Sequence, residues 1–229
     1  MARTRIVRVV SLVPSVTETI SSWGRGPFAS TRFCERPDLP HVGGTKDPDV
    51  ARIIELAPDL VVVDTEENRR EDHDALVAAG LEVHALSIRS LADVNEQLPG
   101  LAARLDVGWS PEPLVAPMAP RARAFVPIWR RPWMALGTPT YGASLLAHLG
   151  IEVVFGDRGP YPQVDLEEAT ALRPDLVLAP SEPYPFTTRQ LPELTSVAPT
   201  EFVDGKDLFW WGMRTPLAIA RLRRQLRAL

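Results

Sequence analysis

The chain of 229 residues has very few of the side chains that build disulfide or metal sites. Its single cysteine, Cys34, excludes an internal disulfide framework. Because no base stands beside it in the sequence, we interpret Cys34 as a structural thiol rather than a nucleophile. The four histidines show no HxxxH spacing and there is no CxxC pair, and His41, in a glycine-bearing turn, is the best imidazole candidate. The sequence therefore predicts no metal held by protein ligands alone.

Several common functional signatures are also missing. The sequence has no G-x-S-x-G elbow and no P-loop, which argues against a serine hydrolase and against a P-loop nucleotide site. No apolar run approaches the roughly 20 residues that span a bilayer. A net charge of −4 disfavours broad attraction to nucleic acid or to an anionic membrane. We therefore expect neither nucleic-acid binding nor membrane insertion.

The first apolar stretch lacks the features of a secretion signal. Arg8 interrupts it, and it ends at Pro14 without a small-residue cleavage site. As written, the sequence predicts a cytoplasmic protein, or a periplasmic one if a leader has been removed.

The phrase Leu-x-Pro-Asp-Leu-Val occurs twice, at 56–61 and at 172–177. Each copy ends a helical pattern, because a helix ends before a proline, and then begins an apolar run. A helix followed by a strand in this way is typical of half an αβ unit. Two copies so far apart predict two similar lobes. Two lobes imply a cleft between them, and clefts are where small ligands bind.

The first lobe alternates strands and helices, which predicts a largely parallel sheet with helices outside it. The strands are predicted at 6–13, 60–63 and 81–86, and the helices at 15–23, 49–56 and 68–79. Ser15 and Glu18 have the spacing of a capping box, and Asp47 or Asp49 is the predicted cap of the second helix.

A stiff connection is predicted after the first lobe. A helical pattern at 90–106, kinked or divided at Pro99, precedes a proline-dense stretch at 108–132. We therefore predict an N-terminal αβ lobe at 1–87, a rigid helical and proline-rich bridge at 88–122, and a C-terminal αβ lobe at 123–229.

The second lobe repeats the alternation. Its strands are predicted at 124–128, 133–136, 151–155, 176–179 and 201–203, and its helices at 141–149, 165–172, 191–198 and from 215 onwards. Asp165 and Thr215 are the predicted caps of two of these helices. The overall prediction is an α/β fold of two similar lobes, each a mostly parallel sheet flanked by helices.

Polar and aromatic residues collect where the predicted strands end, which is where open parallel sheets bind ligands. Residues 209–214 place three adjacent aromatic side chains in a predicted loop. Either at least one of them contacts a ligand or partner, or they pin the C-terminal helix to the sheet. Glu66 and Glu67 could be an acid/base pair, a metal site, cation contacts or the acidic start of a helix.

Several segments resemble the helical-backbone solute-receptor family, the cobalamin- and iron-siderophore-binding components of ABC importers. They are Val10–Glu18, Gly43–Asp49, both copies of Leu-x-Pro-Asp-Leu-Val, and Gly159–Val164. The resemblance covers nearly the whole chain. It implies two αβ lobes joined by a rigid helix, with the ligand lying between them.

The resemblance also implies ligand-facing residues. Phe33, Trp129 and Tyr161 match aromatic positions of the family, and 209–214 matches a segment that clasps one side of cobalamin. The strand-end turns add further polar and aromatic candidates. The full predicted ligand-binding set is Phe33, Lys46, Glu66, Glu67, Trp129, Tyr141, Tyr161, Tyr184, Phe209, Trp210, Trp211 and Arg214.

The resemblance further implies a partner, and the chain departs from the family pattern in two places. Each lobe of the family offers a glutamate to the membrane permease, and Glu167 matches that position in the second lobe. The matching position of the first lobe falls on Ala51, beside Arg52. Phe209 and Met213 stand where the clasp has an aspartate and an arginine.

The sequence thus predicts a non-catalytic, monomeric receptor for a metal-chelate ligand, most of all cobalamin or another corrinoid. It has no intrinsic cofactor, because the ligand brings its own metal, and an ABC permease is its candidate partner. The alternatives are an iron-siderophore or haem receptor and an enzyme that uses Glu66 and Glu67 as acid and base on a corrinoid or metal chelate. A third alternative is an interaction module that uses Trp210 and Trp211 as a protein anchor.

Overall fold

The computed structural model describes residues 7–111 and 113–228. The described chain groups into two compact units. Unit 1 comprises the described residues up to Ile88 together with Ala92–Pro111 and Trp211–Met213. Unit 2 comprises Arg89–Leu91 and the described residues from 113 to Trp210 and from Arg214 onwards.

Unit 1 is built on a four-stranded parallel sheet in the order β2-β1-β3-β4. Its strands are β1 Val9–Ser11, β2 Ala29–Ser30, β3 Leu60–Asp64 and β4 Val83–Leu86. Its helices are α1 Pro14–Ser22, α2 Val50–Leu56, α3 Arg70–Ala78 and α4 Leu91–Arg104, of which Leu91 groups with unit 2. All five residues of β3 are buried, because the strand lies inside the sheet with both faces covered.

Unit 2 has a second four-stranded parallel sheet, in the order β10-β9-β5-β8, and a two-stranded antiparallel ribbon of β6 and β7. The strands are β5 Ala122–Phe125, β6 Pro127–Trp129, β7 Met134–Ala135, β8 Ile151–Val153, β9 Leu176–Pro180 and β10 Thr200–Val203. The helices are α5 Tyr141–His148, α6 Leu166–Ala171, α7 Leu191–Thr195, α8 Gly205–Phe209 and α9 Thr215–Gln225, with short 3-10 turns at Gly156–Arg158 and Leu226–Ala228.

The two parallel sheets have the same topology. When the four strands of each sheet are numbered along the chain, both have the order 2-1-3-4. Each unit also has its own apolar core, with Val10 and Val61 in the first and Phe125 and Val177 in the second. The predicted α/β fold of two similar lobes with mostly parallel sheets is therefore confirmed. The boundaries 1–87, 88–122 and 123–229, with a rigid bridge, stay a prediction.

The repeated phrase ends a helix and begins a strand in both units. Ala57 and Arg173, each the residue before the proline, have left-handed backbone angles with φ of 43° and 50°. A left-handed residue stops a helix, and the following proline cannot continue it. The chain then enters β3 in unit 1 and β9 in unit 2.

Two of the predicted helix caps are confirmed and two are wrong. Of the two candidates Asp47 and Asp49, Asp49 caps α2 by accepting a hydrogen bond from the Arg52 amide, and Asp165 caps α6 in the same way. Ser15 does not cap α1, because the helix already begins at Pro14, where a proline needs no amide partner. Thr215 is likewise the first residue of α9 rather than its cap.

One helix was missed by the sequence analysis. Residues 205–209 form α8, and the Asp204 side chain caps it by accepting from the Lys206 amide. Phe209 therefore ends a helix instead of beginning a loop. Pro99 lies inside α4, and among the described residues 107–121 there is no regular helix or strand.

Candidate functional site

The carboxyl ends of the unit 1 strands are tied together by a buried pair, Asp64 and Asn68. The Asp64 carboxylate accepts hydrogen bonds from the amides of Glu66 at 2.9 Å and Ile88 at 3.3 Å. The Asn68 side chain accepts from the Asp64 amide at 2.9 Å and donates to the Thr45 carbonyl at 2.9 Å. Asn68 also donates to the carbonyl of the residue that follows β1. These bonds fix the turns that follow three neighbouring strands.

Asp64 is the buried titratable group of this network. Burial raises its pKa to about 6, because a charged carboxylate is poorly solvated there, and the hydrogen bond from the Glu66 amide opposes the rise. The nearby Glu67 charge raises the pKa further. We interpret Asp64 as a structural residue, since its oxygens face backbone amides rather than solvent.

Three predicted polar residues lie beside this network at the carboxyl edge of the unit 1 sheet. Lys46 donates a hydrogen bond to the backbone carbonyl of Glu66, so it holds the same turn. Glu66 is half-buried, and Glu67 and Lys46 are exposed. Desolvation by the protein around Glu67 raises the pKa of its carboxylate, an effect that Lys46 opposes and Glu66 reinforces. The turn thus presents one cation and two carboxylates.

Phe33 is an exposed aromatic residue at this edge of unit 1. Its side chain is 53% exposed and lies after β2. The Arg32 guanidinium is 4.9 Å from the ring centroid and pairs with both carboxylate oxygens of Asp47 at 2.9 and 3.0 Å. The ion pair holds the cation beside the ring, which keeps a flat aromatic surface at the edge.

Unit 2 presents an aromatic wall formed by Trp129 and Tyr184. Their ring centroids are 5.7 Å apart in an edge-to-face arrangement, and Tyr184 packs in turn on Phe186 at 4.7 Å. Arg130, the residue after Trp129, forms a two-point ion pair with Glu193. Trp129 is nevertheless 44% exposed, so a large apolar face is held in place and left open to solvent.

Tyr161 is a second exposed aromatic residue of unit 2, at 42% exposure. It lies in a segment that runs alongside β7, where Ala135 donates to the Pro162 carbonyl and Gly137 to the Pro160 carbonyl. Gly137 allows this approach, because a Cβ there would collide with the Gly159 carbonyl oxygen. The backbone pairing fixes the position from which Tyr161 projects.

A charged cluster surrounds Trp210 in unit 2. The Lys206 ammonium is 5.1 Å from the indole centroid and the Arg214 guanidinium is 5.6 Å from it. Arg214 donates to the buried carboxylate of Asp207 at 3.1 Å, and Arg221 donates to both oxygens of the same carboxylate. Sequence reasoning predicted Trp210 and Arg214 here and missed Lys206 and Asp207. The sequence signal that could have found them is a capping aspartate, Asp204, followed by an acidic residue in the first turn, which predicts a helix start.

Phe209 and Trp211 flank Trp210, and of these three side chains only Trp211 is buried. Trp211 is 5% exposed within unit 1, and Phe209 packs against Gly142 at the start of α5 in unit 2. Gly212, with a φ of 114°, lies so close to Thr19 that a Cβ would meet its hydroxyl. The suggestion that Trp211 serves as a protein anchor is therefore wrong for this structure, because its side chain is buried.

Tyr141 is a core residue in this structure. Its side chain is 4% exposed, and its hydroxyl pairs with Thr215 Oγ1 at 2.9 Å. Burial raises the pKa of the phenol above its usual value. Tyr141 therefore links the start of α5 to the start of α9, and its buried ring presents no face to a ligand.

Glu167 and Ala51 occupy equivalent positions in the two units. Each is the second residue after a capping aspartate, Asp49 in α2 and Asp165 in α6, and neither position is buried. The neighbouring Glu168 is engaged by Arg158. The asymmetry predicted from sequence, with a carboxylate on one unit and a methyl group on the other, is thus present at matched sites.

The described part of the chain, residues 7–111 and 113–228, also bears on other classes of site. No group of three or more His, Cys, Asp or Glu residues there is arranged to hold a metal ion. In the same residues, no helix combines the length and apolarity needed to cross a membrane. A cavity of about 190 Å³ lies at the opposite edge of the unit 1 sheet, lined by Val9, Arg25 and Leu105 among others, away from the predicted residues.

Comparison with known proteins adds sequence relatives and structural neighbours. No family model matches the chain. The vitamin B12-binding protein of Salmonella choleraesuis (strain SC-B67) is 26% identical over 197 residues, covering 75% of this chain and 71% of the relative.

Two solved structures share the fold of nearly the whole chain. The periplasmic vitamin B12 binding protein BtuF of Vibrio cholerae has a TM-score of 0.75 at 18% identity, covering 96% of each chain. A periplasmic heme binding protein from Pseudomonas aeruginosa has a TM-score of 0.77 at 18% identity, covering 95% of this chain and 91% of the other. These relatives and neighbours are named as binding proteins rather than enzymes. The chain is thus similar in sequence to vitamin B12-binding proteins and shares its fold with solved periplasmic binding proteins.

Proposed function

We propose that this protein binds a metal-chelate ligand without transforming it, and that the ligand is cobalamin or another corrinoid. The proposal is supported by the sequence relatives, which are named vitamin B12-binding proteins, and by the solved neighbour of the same name. The protein would serve as the substrate-binding component of an ABC importer or as a relative of one. The names of the similar proteins argue against an enzyme that uses Glu66 and Glu67, because those proteins are named for binding.

The observation that carries this proposal is the exposed Trp129–Tyr184 wall. A corrin is a broad, largely apolar disc with amide groups at its edge, so it needs flat aromatic contacts and a few polar partners. Trp129 offers an open indole face, and its edge-to-face contact with Tyr184 supports the ring. A face that is ordered before binding loses little side-chain entropy when the ligand arrives.

The remaining predicted residues complete the proposed binding set. Phe33 and Tyr161 are also exposed aromatic residues, and Trp210 is half-buried between two cations. The polar contacts would come from residues at the strand ends, namely Lys46, Glu66, Glu67 and Arg214. The apolar faces would bury the disc, and the polar groups would bind its amide edge.

A titration of cyanocobalamin, followed by tryptophan fluorescence and calorimetry, tests this function. We expect saturable quenching and heat with the wild-type protein. Trp129→Ala should weaken binding about tenfold or more, because it removes a large aromatic contact. Phe28→Ala is the matched control, since Phe28 is an exposed aromatic residue that precedes β2 at the other edge of the sheet. No quenching and no heat in the wild type would refute the proposal for this ligand.

Haem is the second candidate, because a structural neighbour is named as a heme-binding protein. The same aromatic surfaces suit a flat porphyrin. Haemin, titrated in parallel and followed by its visible absorption, separates the two candidates. Saturable binding of haemin with no response to cyanocobalamin would identify the protein as a haem receptor.

We also propose that the protein is a monomer whose Glu167 docks on an ABC permease. The accessible carboxylate at the start of α6 supports this assignment, and Ala51 supplies no counterpart in unit 1. Sedimentation at micromolar concentration tests the monomer. Stimulation of ATP hydrolysis by a cognate importer in proteoliposomes tests the docking, and we expect Glu167→Gln to reduce it while Glu152→Gln, an exposed glutamate in β8, leaves it unchanged.

A further inference from the structure

The cluster around Trp210 contains two residues, Asp207 and Lys206, that the proposed binding set does not include. Asp207 is buried in the first turn of α8, and its side chain is 4% exposed. A buried carboxylate is stable only when it is paired and hydrogen-bonded. Here the pairing is made by two guanidinium groups, from Arg214 and Arg221.

The carboxylate is charged in this arrangement. Burial by itself would raise the pKa of Asp207, but the hydrogen bonds from Arg221 and Arg214 outweigh it, and the pKa lies below its usual value. Arg221 bonds both oxygens, which fixes the plane of the carboxylate. Asp207 Oδ1 also accepts a hydrogen bond from the Arg214 guanidinium, so Asp207 sets the position of that guanidinium.

The consequence is that two cations are held against one indole. The Arg214 guanidinium and the Lys206 ammonium both lie within about 6 Å of the Trp210 ring, the distance range of cation–π attraction. Asp204 caps α8 directly after β10, and the Gly205 amide donates to Ser181 Oγ after β9. The start of α8, which carries Lys206, therefore lies at the carboxyl edge of the unit 2 sheet, where parallel sheets bind ligands.

We infer that Asp207 is a positioning residue, which holds Arg214 on Trp210 so that Arg214 and Lys206 together bind an anionic group at the edge of the ligand. Guanidinium and ammonium groups recognise carboxylate and phosphate oxygens through charge-assisted hydrogen bonds. The ligand class is thus a flat chelate that carries a phosphodiester or a carboxylate. The inference rests on the proposed function for the identity of the chelate.

Two pairs of ligands test the inference, because the members of each pair differ in the anion. Cyanocobalamin carries a phosphodiester that dicyanocobinamide lacks, and haemin carries carboxylates that its dimethyl ester lacks. We expect the wild type to prefer, by about tenfold, the member that carries the anionic group in the pair that it binds. Asp207→Asn, Arg214→Gln and Lys206→Gln should each weaken the anion-bearing member more than the other and so reduce this preference severalfold.

The controls separate positioning from a merely structural role. Arg223→Gln removes the same charge from an exposed site on α9 and should keep the full preference. Arg214→Gln leaves the Asp207–Arg221 pair intact, so it should fold even if Asp207→Asn does not. Equal weakening of both ligands of a pair by these variants would overturn the inference while leaving the proposed function in place.

A probe without a chelate keeps the test independent of the proposed function. Pyrophosphate can be titrated at constant ionic strength while the indole N–H signal of Trp210 is followed by NMR. We expect a saturable shift that Arg214→Gln abolishes and Arg223→Gln preserves. Failure of every chelate to bind would refute the proposed function, whereas absence of a saturable pyrophosphate shift would refute the anion site.

Discussion

Arg123 and Asp175 hold each other through reciprocal hydrogen bonds between the start of β5 and the start of β9. The Arg123 amide donates to Asp175 Oδ2 at 2.7 Å, and the Asp175 amide donates to the Arg123 carbonyl at 2.8 Å. The guanidinium of Arg123 also donates to the carbonyl of Leu172, just past the end of α6. One arginine thus joins a strand, a helix end and the repeated Pro-Asp phrase.

Unit 1 contains the same arrangement. The Arg8 amide donates to Asp59 Oδ2 at 2.9 Å, the Asp59 amide donates back to the Arg8 carbonyl at 2.9 Å, and the Arg8 side chain reaches the Leu56 carbonyl. The recurrence gives a physical reason for the aspartate of the phrase. It supplies the acceptor that locks the helix-to-strand turn to the neighbouring strand.

Removing this acceptor should lower stability. We expect Asp175→Ala and Asp59→Ala each to reduce the free energy of unfolding by about 1 kcal/mol, the usual worth of such a bond at a partly exposed site. Asp175→Asn should cost less, because the amide oxygen can still accept. Urea unfolding measures the change, with Asp157→Ala at an exposed turn as the control. An equal loss in the alanine and asparagine variants would contradict this account.

The buried Asp64 should make stability depend on pH. Its pKa is about 6 in the folded protein and 3.8 in the absence of burial. The folded state therefore binds the Asp64 proton more tightly than the unfolded state does. The stabilisation that this proton provides is fully present below pH 3.8 and is lost as the pH rises through 6. The loss should amount to about 3 kcal/mol.

Asp64→Asn should remove this dependence, because an amide does not titrate. Urea unfolding of the wild type and of Asp64→Asn from about pH 4 to about pH 7 gives the difference in their unfolding free energies at each pH. The cost of the missing acceptor is the same at every pH, so it does not change the slope of this difference against pH. A wild-type and variant curve that run parallel across this range would show that Asp64 titrates normally.

Gly212 should not tolerate a side chain. Its φ of 114° already disfavours other residues, and a Cβ would meet the Thr19 hydroxyl, which also accepts from the Met213 amide. Gly24 is the matched control, because it has a φ of 72° but a Cβ added there would meet no described atom within 4 Å. We expect Gly24→Ala to cost about 1 kcal/mol from backbone strain alone and Gly212→Ala at least about 1 kcal/mol more.

The steric part of this effect can be isolated by a double substitution. Thr19→Ala in the Gly212→Ala background should recover part of the lost unfolding free energy, since it removes the clashing hydroxyl. If the two substitutions are simply additive, the close approach is not the cause.

Tyr141 should matter for stability and not for binding. Tyr141→Phe removes the hydrogen bond to Thr215 and should lower the unfolding free energy by about 1 kcal/mol. The affinity for cyanocobalamin should be unchanged, whereas Tyr184→Ala should weaken it by removing the support of Trp129. A clear loss of affinity in Tyr141→Phe would return this residue to the ligand-binding set.

Local patterns in the sequence were sufficient to predict most of the fold. The phrase at 56–61 and its copy at 172–177 predicted two similar lobes, and the sheets do share one strand order. The caps at Asp49 and Asp165 were also predictable, because a capping aspartate acts within three residues of itself. Ser15 and Thr215 failed as caps because proline beside them changed where the helix starts.

The identity of the residues in the candidate site depended more on tertiary contacts than the fold did. Sequence alone could nominate Trp129, Tyr141 and Trp211 equally, since each is an aromatic residue near a strand end. Only packing distinguishes them, leaving the first exposed and burying the other two. The same holds for Asp207, whose role follows from two arginines that reach it from α9 and from the turn before it.

The sequence by itself therefore determined the alternation of strands and helices, the duplicated topology and the helix ends that depend on near neighbours. The tertiary structure alone decided which aromatic rings face solvent and which charges meet. The physical reason is range: hydrophobic periodicity and capping act over a few residues, whereas burial and ion pairing depend on side chains brought together from distant parts of the chain.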